Sequence, residues 1–301
     1  MVMALSLGLA MPSWSGGWHP DNFYLIFGVI QMTIVSAFLL PGNPLPFLRP
    51  DNRPWGILAA ACHTAREALL ASQPDVLLIY STQWFAVLDE LWQARPHSKG
   101  LHVDENWYEY GDLQMNIQAD VELVTACIKA ATEAGIRSKP VDYDHFPIDT
   151  GTIIANNFLN PDGKIPTVIA SNNLYHDFAT TEKLGYIAAE ESKMLGRRAA
   201  VIAVGGLSGS YFDQKIDIAQ DHIVHEADDS ANKKLLHLIE AGNLAALREA
   251  IPDYANAAKA DMGMKHLAWL LGATGHFSSA KIHGYGPTYG AGAAVIEFNL
   301  H

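Results

Sequence analysis

Four short stretches of this chain carry side chains whose type and spacing could do chemistry. "HIVHE" sets His222, His225 and Glu226 at intervals that a helix would gather on one face, and all three are metal-ligand types. The order is not the HExxH of zinc proteases, and the run continues into Asp228 and Asp229, so a solvated acidic helix start is the stronger reading. "DHFPID" presents Asp144, His145 and Asp149, and "NNLYHD" presents Asn173, Tyr175, His176 and Asp177. As an acid/base pair these would have to meet in space, and nothing in the sequence brings them together. His145, Asp149, Tyr175 and His176 are therefore candidates for a substrate pocket or an interface. "GLSGS" has Gly206 and Ser208 in frame for a nucleophile turn of the GxSxG type, but Ser210 stands where the closing glycine belongs. The same turn is not GxGxxG, and no GK[ST] follows it, so nucleotide-binding motifs fail.

The elements that must position these residues alternate between β-prone apolar runs and helical patterns, which predicts an α/β fold. Expected strands are 33–39, 75–80, 167–171, 199–204 and 293–298. Expected helices are 55–72, 119–134, 180–195, 231–241, 244–251 and 254–271. The last rests on Met264, Leu267, Ala268 and Leu271 at helical spacing. Thr180 with Glu182 reads as a helix start, and Gly242 as a helix stop. "VIAVGGLSGSYF" (201–212) reads as a buried strand running into a glycine turn, the place where α/β proteins put their chemistry. Yet that turn carries no lysine and no histidine. Two long irregular stretches, 95–114 and 141–153, hold aromatic and ionisable residues, as loops that carry sites do.

Composition narrows the classes. The 301 residues are 49% hydrophobic, ample for a buried core, and the net charge of −12 argues against nucleic acid and anionic membranes as partners. The two cysteines, Cys62 and Cys127, lie in alanine-rich helical stretches without CxxC spacing, so they read as small buried side chains of a reducing cytoplasm. The apolar run 23–40 lacks flanking basic residues and is followed by Pro41, Pro44 and Pro46, which argues against a membrane span. Its second half reads as a strand. Residues 1–31 are expected to be an N-terminal extension upstream of a natural start at Met32, with one domain over 32–301.

In order along the chain, "TIVSAFLLPGNPLP", "PDVLLIYSTQW", "AVGGLSGS" and "ADMGMKHLAWLLGA" resemble the framework of the class III (LigB-like) extradiol ring-cleaving dioxygenases. "HVDENWYEYGDL", "FPIDTGTI", "SNNLYH", "EKL" and "GYGPTYGAGAAVIEF" are similar, more narrowly, to the α subunits of the aminophenol-cleaving members. The resemblance implies a single domain with a central, mostly parallel or mixed sheet flanked by helices on both faces. It also implies iron(II) held by two histidines and a carboxylate, which leaves positions open for an aromatic diol or aminophenol and for O₂. A further histidine serves as acid/base. The first iron histidine belongs to a Pro-His-x-Pro context, here Pro41-Gly42-Asn43-Pro44. The second precedes a tryptophan, here Gln83 before Trp84. The acid/base histidine follows Gly-Leu-Ser, here Gly209, and the carboxylate position falls on Asp261.

Gly42, Gln83, Gly209 and Asp261 are then vestigial positions. The resemblance implies no cofactor and no metal in this chain, with Fe(II) carried by a paralogous catalytic β subunit in an α₂β₂ complex. Two rival readings stay open. One is an active dioxygenase that recruits metal ligands from His102, His145, His176 or His225. The other is a stand-alone module that uses the empty pocket for a small aromatic or a peptide.

Overall fold

The computed structural model describes residues 33–301. The expectations for residues 1–31 and for a start at Met32 lie outside the described residues. The second half of the apolar run at the boundary is the strand β1 (Ile34–Leu40). After it come α1 (Leu45–Leu48), α2 (Arg53–Ser72), β2 (Val76–Ala86), β3 (Glu90–Gln93), β4 (His97–His102) and β5 (Leu113–Gln118). The middle of the chain gives α3 (Val121–Glu133), β6 (Ser138–Val141), α4 (Thr150–Leu159), β7 (Thr167–Asn173), α5 (Phe178–Met194) and β8 (Ala199–Val204). The last part forms α6 (Glu226–Glu240), α7 (Leu244–Ala257), α8 (Lys265–Thr274), β9 (Ser279–Thr288) and β10 (Ala291–Asn299). Among the described residues, no helix is long and apolar enough to cross a membrane.

Eight strands make one mixed sheet in the order β6-β3-β7-β2-β8-β1-β10-β9, and β4 pairs with β5 in a separate hairpin. β7, β2, β8 and β1 run parallel, whereas β10 and β9 close one side antiparallel. Side-chain alternation divides the core into two layers. Ala37, Leu39, Leu78 and Tyr80 face a layer completed by α3, α5, α7 and α8 through Val124, Leu184, Leu247 and Leu267. Phe38, Leu40, Leu77 and Ile79 face the other layer, completed by α2 and α4 through Leu58, Cys62, Ile153 and Phe158. Strands covered on both faces read as unbroken apolar runs, which is why the central four were legible. Cys62 and Cys127 are free and buried in helices, and burial pushes both thiols well above their ordinary range.

α5 and α8 touch backbone to backbone. A β-carbon at Gly185 would fall 2.1 Å from the Trp269 carbonyl oxygen, and one at Gly272 would fall 1.8 Å from that of Glu182. α5 starts earlier than expected, because the Asp177 carboxylate accepts from the Thr180 N–H and caps it. Gly242 ends α6 with φ of 64°, as a left-handed stop requires.

The single helix expected over 254–271 does not form. α7 continues through Pro252 to Ala257, and the chain then turns through positive φ at Lys259, Met262, Gly263 and Met264 before α8 begins at Lys265. Apolar spacing alone cannot register such a break, because the buried Met264 keeps the pattern in phase across it. The acidic helix start read at Glu226, Asp228 and Asp229 does form, as the first turn of α6, and the alternative of one helical face for "HIVHE" does not. His225 is the residue before α6, and His222 lies further ahead of the helix. Asp228, read as solvated, is buried and accepts from the Ser210 hydroxyl at 2.9 Å.

Candidate functional site

β1, β2 and β8 are neighbours in the sheet, and beyond their carboxyl ends lies a cavity of about 380 Å³, where open α/β sheets bind ligands. Gly42 and Gly209, from the segments after β1 and β8, line it together with Gln83 of β2 and Asp261 from the turn before α8. The fold thus brings together the four positions that the sequence marked from four separate segments.

Their chemistry is closed in on itself. Gln83 Nε2 donates to the Gly42 carbonyl at 3.2 Å. Asp261 Oδ2 accepts from Thr82 Oγ1 at 2.7 Å and from the Gly206 N–H at 2.8 Å. Ser208, in the turn that resembles a nucleophile elbow, is buried. Its Oγ accepts from Asn232 Nδ2 at 2.8 Å and from the Gly292 N–H at 3.2 Å, so it ties loops together and is hydrogen-bonded to no base among the described residues.

Sequence reasoning missed His266. It is wholly buried on α8, and neither ring nitrogen finds a hydrogen-bond partner among the described residues. Burial pulls its pKa down to about 4, against the opposing pull of the Asp261 charge, so the imidazole is neutral at pH 7. A β-carbon at Gly205 would lie 3.0 Å from both Asp261 Oδ2 and His266 Nδ1, which makes the two side chains close neighbours. The available signal was a histidine inside the apolar "HLAWLL".

A second cavity, of about 560 Å³, shares Asn43 and Gln83 with the first. Most of its lining comes from the two loops that the sequence singled out, and the rest from the segment after β1 and from β2. His102 Nε2 donates to Thr150 Oγ1 at 2.8 Å, and that hydroxyl donates to Asp104 Oδ2 at 2.7 Å. Asp104 Oδ1 accepts the N–H groups of Asn106 and Trp107. Asp149 caps α4 through Oδ1, which also accepts from Ser81 Oγ at 2.6 Å.

The other candidates are dispersed. Asp149 lines the larger cavity, whereas His145, Tyr175 and His176 line neither of the two. His145 is exposed against the Tyr143 ring. His176 Nδ1 lies 3.1 Å from Oε2 of the wholly buried Glu90, whose carboxyl is pushed up by burial. Around that turn Phe85, Val87, Leu88, Leu174 and Tyr175 are all exposed, Tyr175 by 82%. His225 donates to the Tyr211 carbonyl and His222 to that of Gln220. Among the described residues, no group of three or more His, Cys, Asp or Glu side chains is placed to hold a metal ion.

The family model of the catalytic LigB subunit of aromatic ring-opening dioxygenase matches residues 50–296. The chain belongs to the LigB family. It is 54% identical over 271 residues to the 2-aminophenol 1,6-dioxygenase alpha subunit of a Pseudomonas species, covering 89% of this chain and 100% of that one. It is 28% identical to the 2-aminophenol 1,6-dioxygenase beta subunit of a Pseudomonas species, over 89% of this chain and 94% of that one. Similarity to the 3,4-dihydroxyphenylacetate 2,3-dioxygenase of Escherichia coli is 22% identity over 71% of this chain and 79% of that one. An uncharacterized protein of Escherichia coli K12 shares the fold, with a TM-score of 0.62 at 14% identity over 87% of this chain and 99% of that one.

The LigB architecture and its cleft are therefore present, but the residues in the cleft do not fit the iron(II) that the resemblance implies. Gly42 and Gly209 offer no donor, Gln83 offers a neutral amide already bonded to Gly42, and one oxygen of Asp261 already accepts two hydrogen bonds. Asp261 and its wholly buried neighbour His266 are one carboxylate and one imidazole, short of the two histidines and one carboxylate that the resemblance implies, and no third such side chain joins them among the described residues.

Proposed function

We propose that this chain is the non-catalytic α subunit of an extradiol ring-cleaving dioxygenase acting on 2-aminophenol or a close relative. It is inactive alone and stabilises a paralogous β chain that carries Fe(II) and the catalytic histidines, in an α₂β₂ assembly in the cytoplasm. The observation that carries this reading is the Gln83–Gly42 hydrogen bond in a cleft of LigB type, which occupies the space of two ligands with groups that bind no metal. The kinship to proteins named alpha and beta subunits supports the partner. Paralogous chains that assemble obligately do so through broad, apolar interfaces. The exposed cluster of Phe85, Val87, Leu88, Leu174 and Tyr175, beside His176, is the face we assign to that contact. The domain that carries the function is 32–301, so removal of residues 1–31 leaves a folded, partner-binding chain.

The test is anaerobic reconstitution of the full chain, alone and co-expressed with a β-type chain that has the intact histidine pattern. Alone, it retains well under one iron per chain and opens no ring. Together, the two co-purify and cleave 2-aminophenol, and the partner raises the melting temperature. Stoichiometric iron in the single chain, or ring opening by it at ordinary enzymatic rates, would overturn the proposal.

A further inference from the structure

We propose that the 560 Å³ cavity is the socket for an arginine side chain of the β chain, so that the subunit contact runs from the exposed apolar face into this pocket. The inference rests on the subunit assignment above and adds to it the chemistry of the partner's anchor. Phe85 links the face to the cavity. It is one of the lining residues, and it is also 52% exposed in the cluster with Val87, Leu88, Leu174 and Tyr175. A chain that covers the cluster therefore lies over Phe85, at the edge of the cavity. Whatever fills the cavity in the assembly then arrives attached to that chain.

The lining selects a flat cation. Trp107 and Phe146 are partly exposed aromatic walls, and Trp84 backs Phe146 with ring centroids 6.2 Å apart. Asp104, Glu105 and Asp149 bring negative charge, and no lysine or arginine lines the cavity. None of the three is ion-paired among the described residues. Asp104 and Asp149 are engaged within the chain. Asp104 accepts the N–H groups of Asn106 and Trp107 and the Thr150 hydroxyl, and Asp149 accepts the Ser81 hydroxyl and the Thr152 N–H. They set the local potential, and the exposed Glu105 is left to close an ion pair. A guanidinium stacks on aromatic faces and meets a carboxylate with a planar fork, whereas an ammonium is compact and strongly hydrated. Arginine seated in a pocket is also among the residues that dominate interface energetics. The socket is built in advance, because the His102–Thr150–Asp104 relay locks one wall to the start of α4, and preformed walls lower the entropic cost of binding.

The experiment is titration calorimetry of the full chain and its variants against a β-type chain with the intact histidine pattern. Glu105→Arg, an exposed change, weakens binding by about thirty-fold or more, and Phe146→Ala, which removes a wall, by about ten-fold. Glu249→Arg makes the same charge change at an exposed position of α7 and shifts affinity by less than about two-fold. The melting temperature of each variant alone confirms that it folds. Phenylglyoxal labelling read by mass spectrometry finds an arginine of the β chain that reacts in the free chain and is protected in the complex. Changing that arginine to alanine weakens binding to the parent chain by about thirty-fold and to Glu105→Gln far less, and lysine in its place recovers only part of the loss. The proposal is overturned if Glu105→Arg binds no more weakly than Glu249→Arg, if no arginine is protected, or if loss of the protected arginine costs the parent and Glu105→Gln equally. In each of those cases the complex still forms and the subunit assignment stands. Failure of the parent chain to bind the β chain at all would overturn that assignment, and this inference with it.

Discussion

Gln83 and Gly42, the two positions at which the resemblance implies metal-binding imidazoles, hold each other directly, with Gln83 Nε2 donating to the Gly42 carbonyl at 3.2 Å. The backbone nonetheless leaves room for side chains there. A β-carbon at Gly42 would lie 3.0 Å from the same Nε2, a movable atom, and one at Gly209 would meet only the Lys259 carbonyl oxygen, at 3.4 Å. The triple variant Gly42→His, Gln83→His, Gly209→His should therefore fold. It should still bind iron(II) weakly and open little ring, because Asp261 Oδ2 stays bonded to Thr82 and Gly206, and the groups that orient imidazole ligands are missing. Iron content after anaerobic reconstitution checks this, and a tight stoichiometric site in the triple variant would contradict it.

His266 gives the fold an acid sensitivity. Its folded pKa is about 4 against an ordinary 6.5, so the unfolded chain takes up a proton at a pH where the folded chain does not. The contribution to stability is complete above about pH 6.5 and is lost as pH falls toward about 4, by up to roughly 3 kcal/mol. Urea unfolding of the full chain should lose stability from about pH 7 to about pH 5, and His266→Leu should flatten that slope. An unchanged slope in the variant would assign the acid sensitivity to other groups.

The contact between α5 and α8 tolerates no side chain at its two glycines. Gly185→Ala and Gly272→Ala each force the helices apart against carbonyl oxygens that cannot rotate away. Each should cost at least about 3 kcal/mol. Thermal unfolding by circular dichroism measures it, and a shift of only a degree or two would mean that the helices slide freely.

Leu88→Asp combined with Tyr175→Ala places a charge and a gap in the exposed cluster and touches neither core layer. The double variant should melt like the parent chain but retain a β-type partner at least about ten-fold less well on a size-exclusion column. Retention equal to the parent would move the contact to another face.

How much of this was legible varied with the physics of each element. β1, β2, β7 and β8 announced themselves because both faces of each are buried. β9 did not, since His283, Gly284 and Pro287 interrupt any apolar run, and its strand identity comes from pairing with β10. β4 was hidden inside the stretch 95–114 read as irregular, and β5 starts at its end; β4 buries only Ser98 and β5 only Leu113 and Ile117, too little for an apolar run. The smaller cleft was legible to the extent that four positions marked in separate segments meet at it. The larger cavity was not. The sequence marked both of its loops, but the His102–Thr150 contact that joins them spans 48 residues, and no local pattern encodes it.

The position of β1 in the sheet has a consequence for synthesis. Leu39 pairs in register with Ala203 of β8 on one side and with Ile296 of β10 on the other. A strand made before all the others thus waits for neighbours made late, the second of them the last strand of the sheet. While the ribosome is still translating, β1 is an unpaired apolar strand, the kind of segment that recruits chaperones or aggregates. The sheet closes only once β10 has been made, so a truncation that removes β10 should be far more harmful than its nine residues suggest.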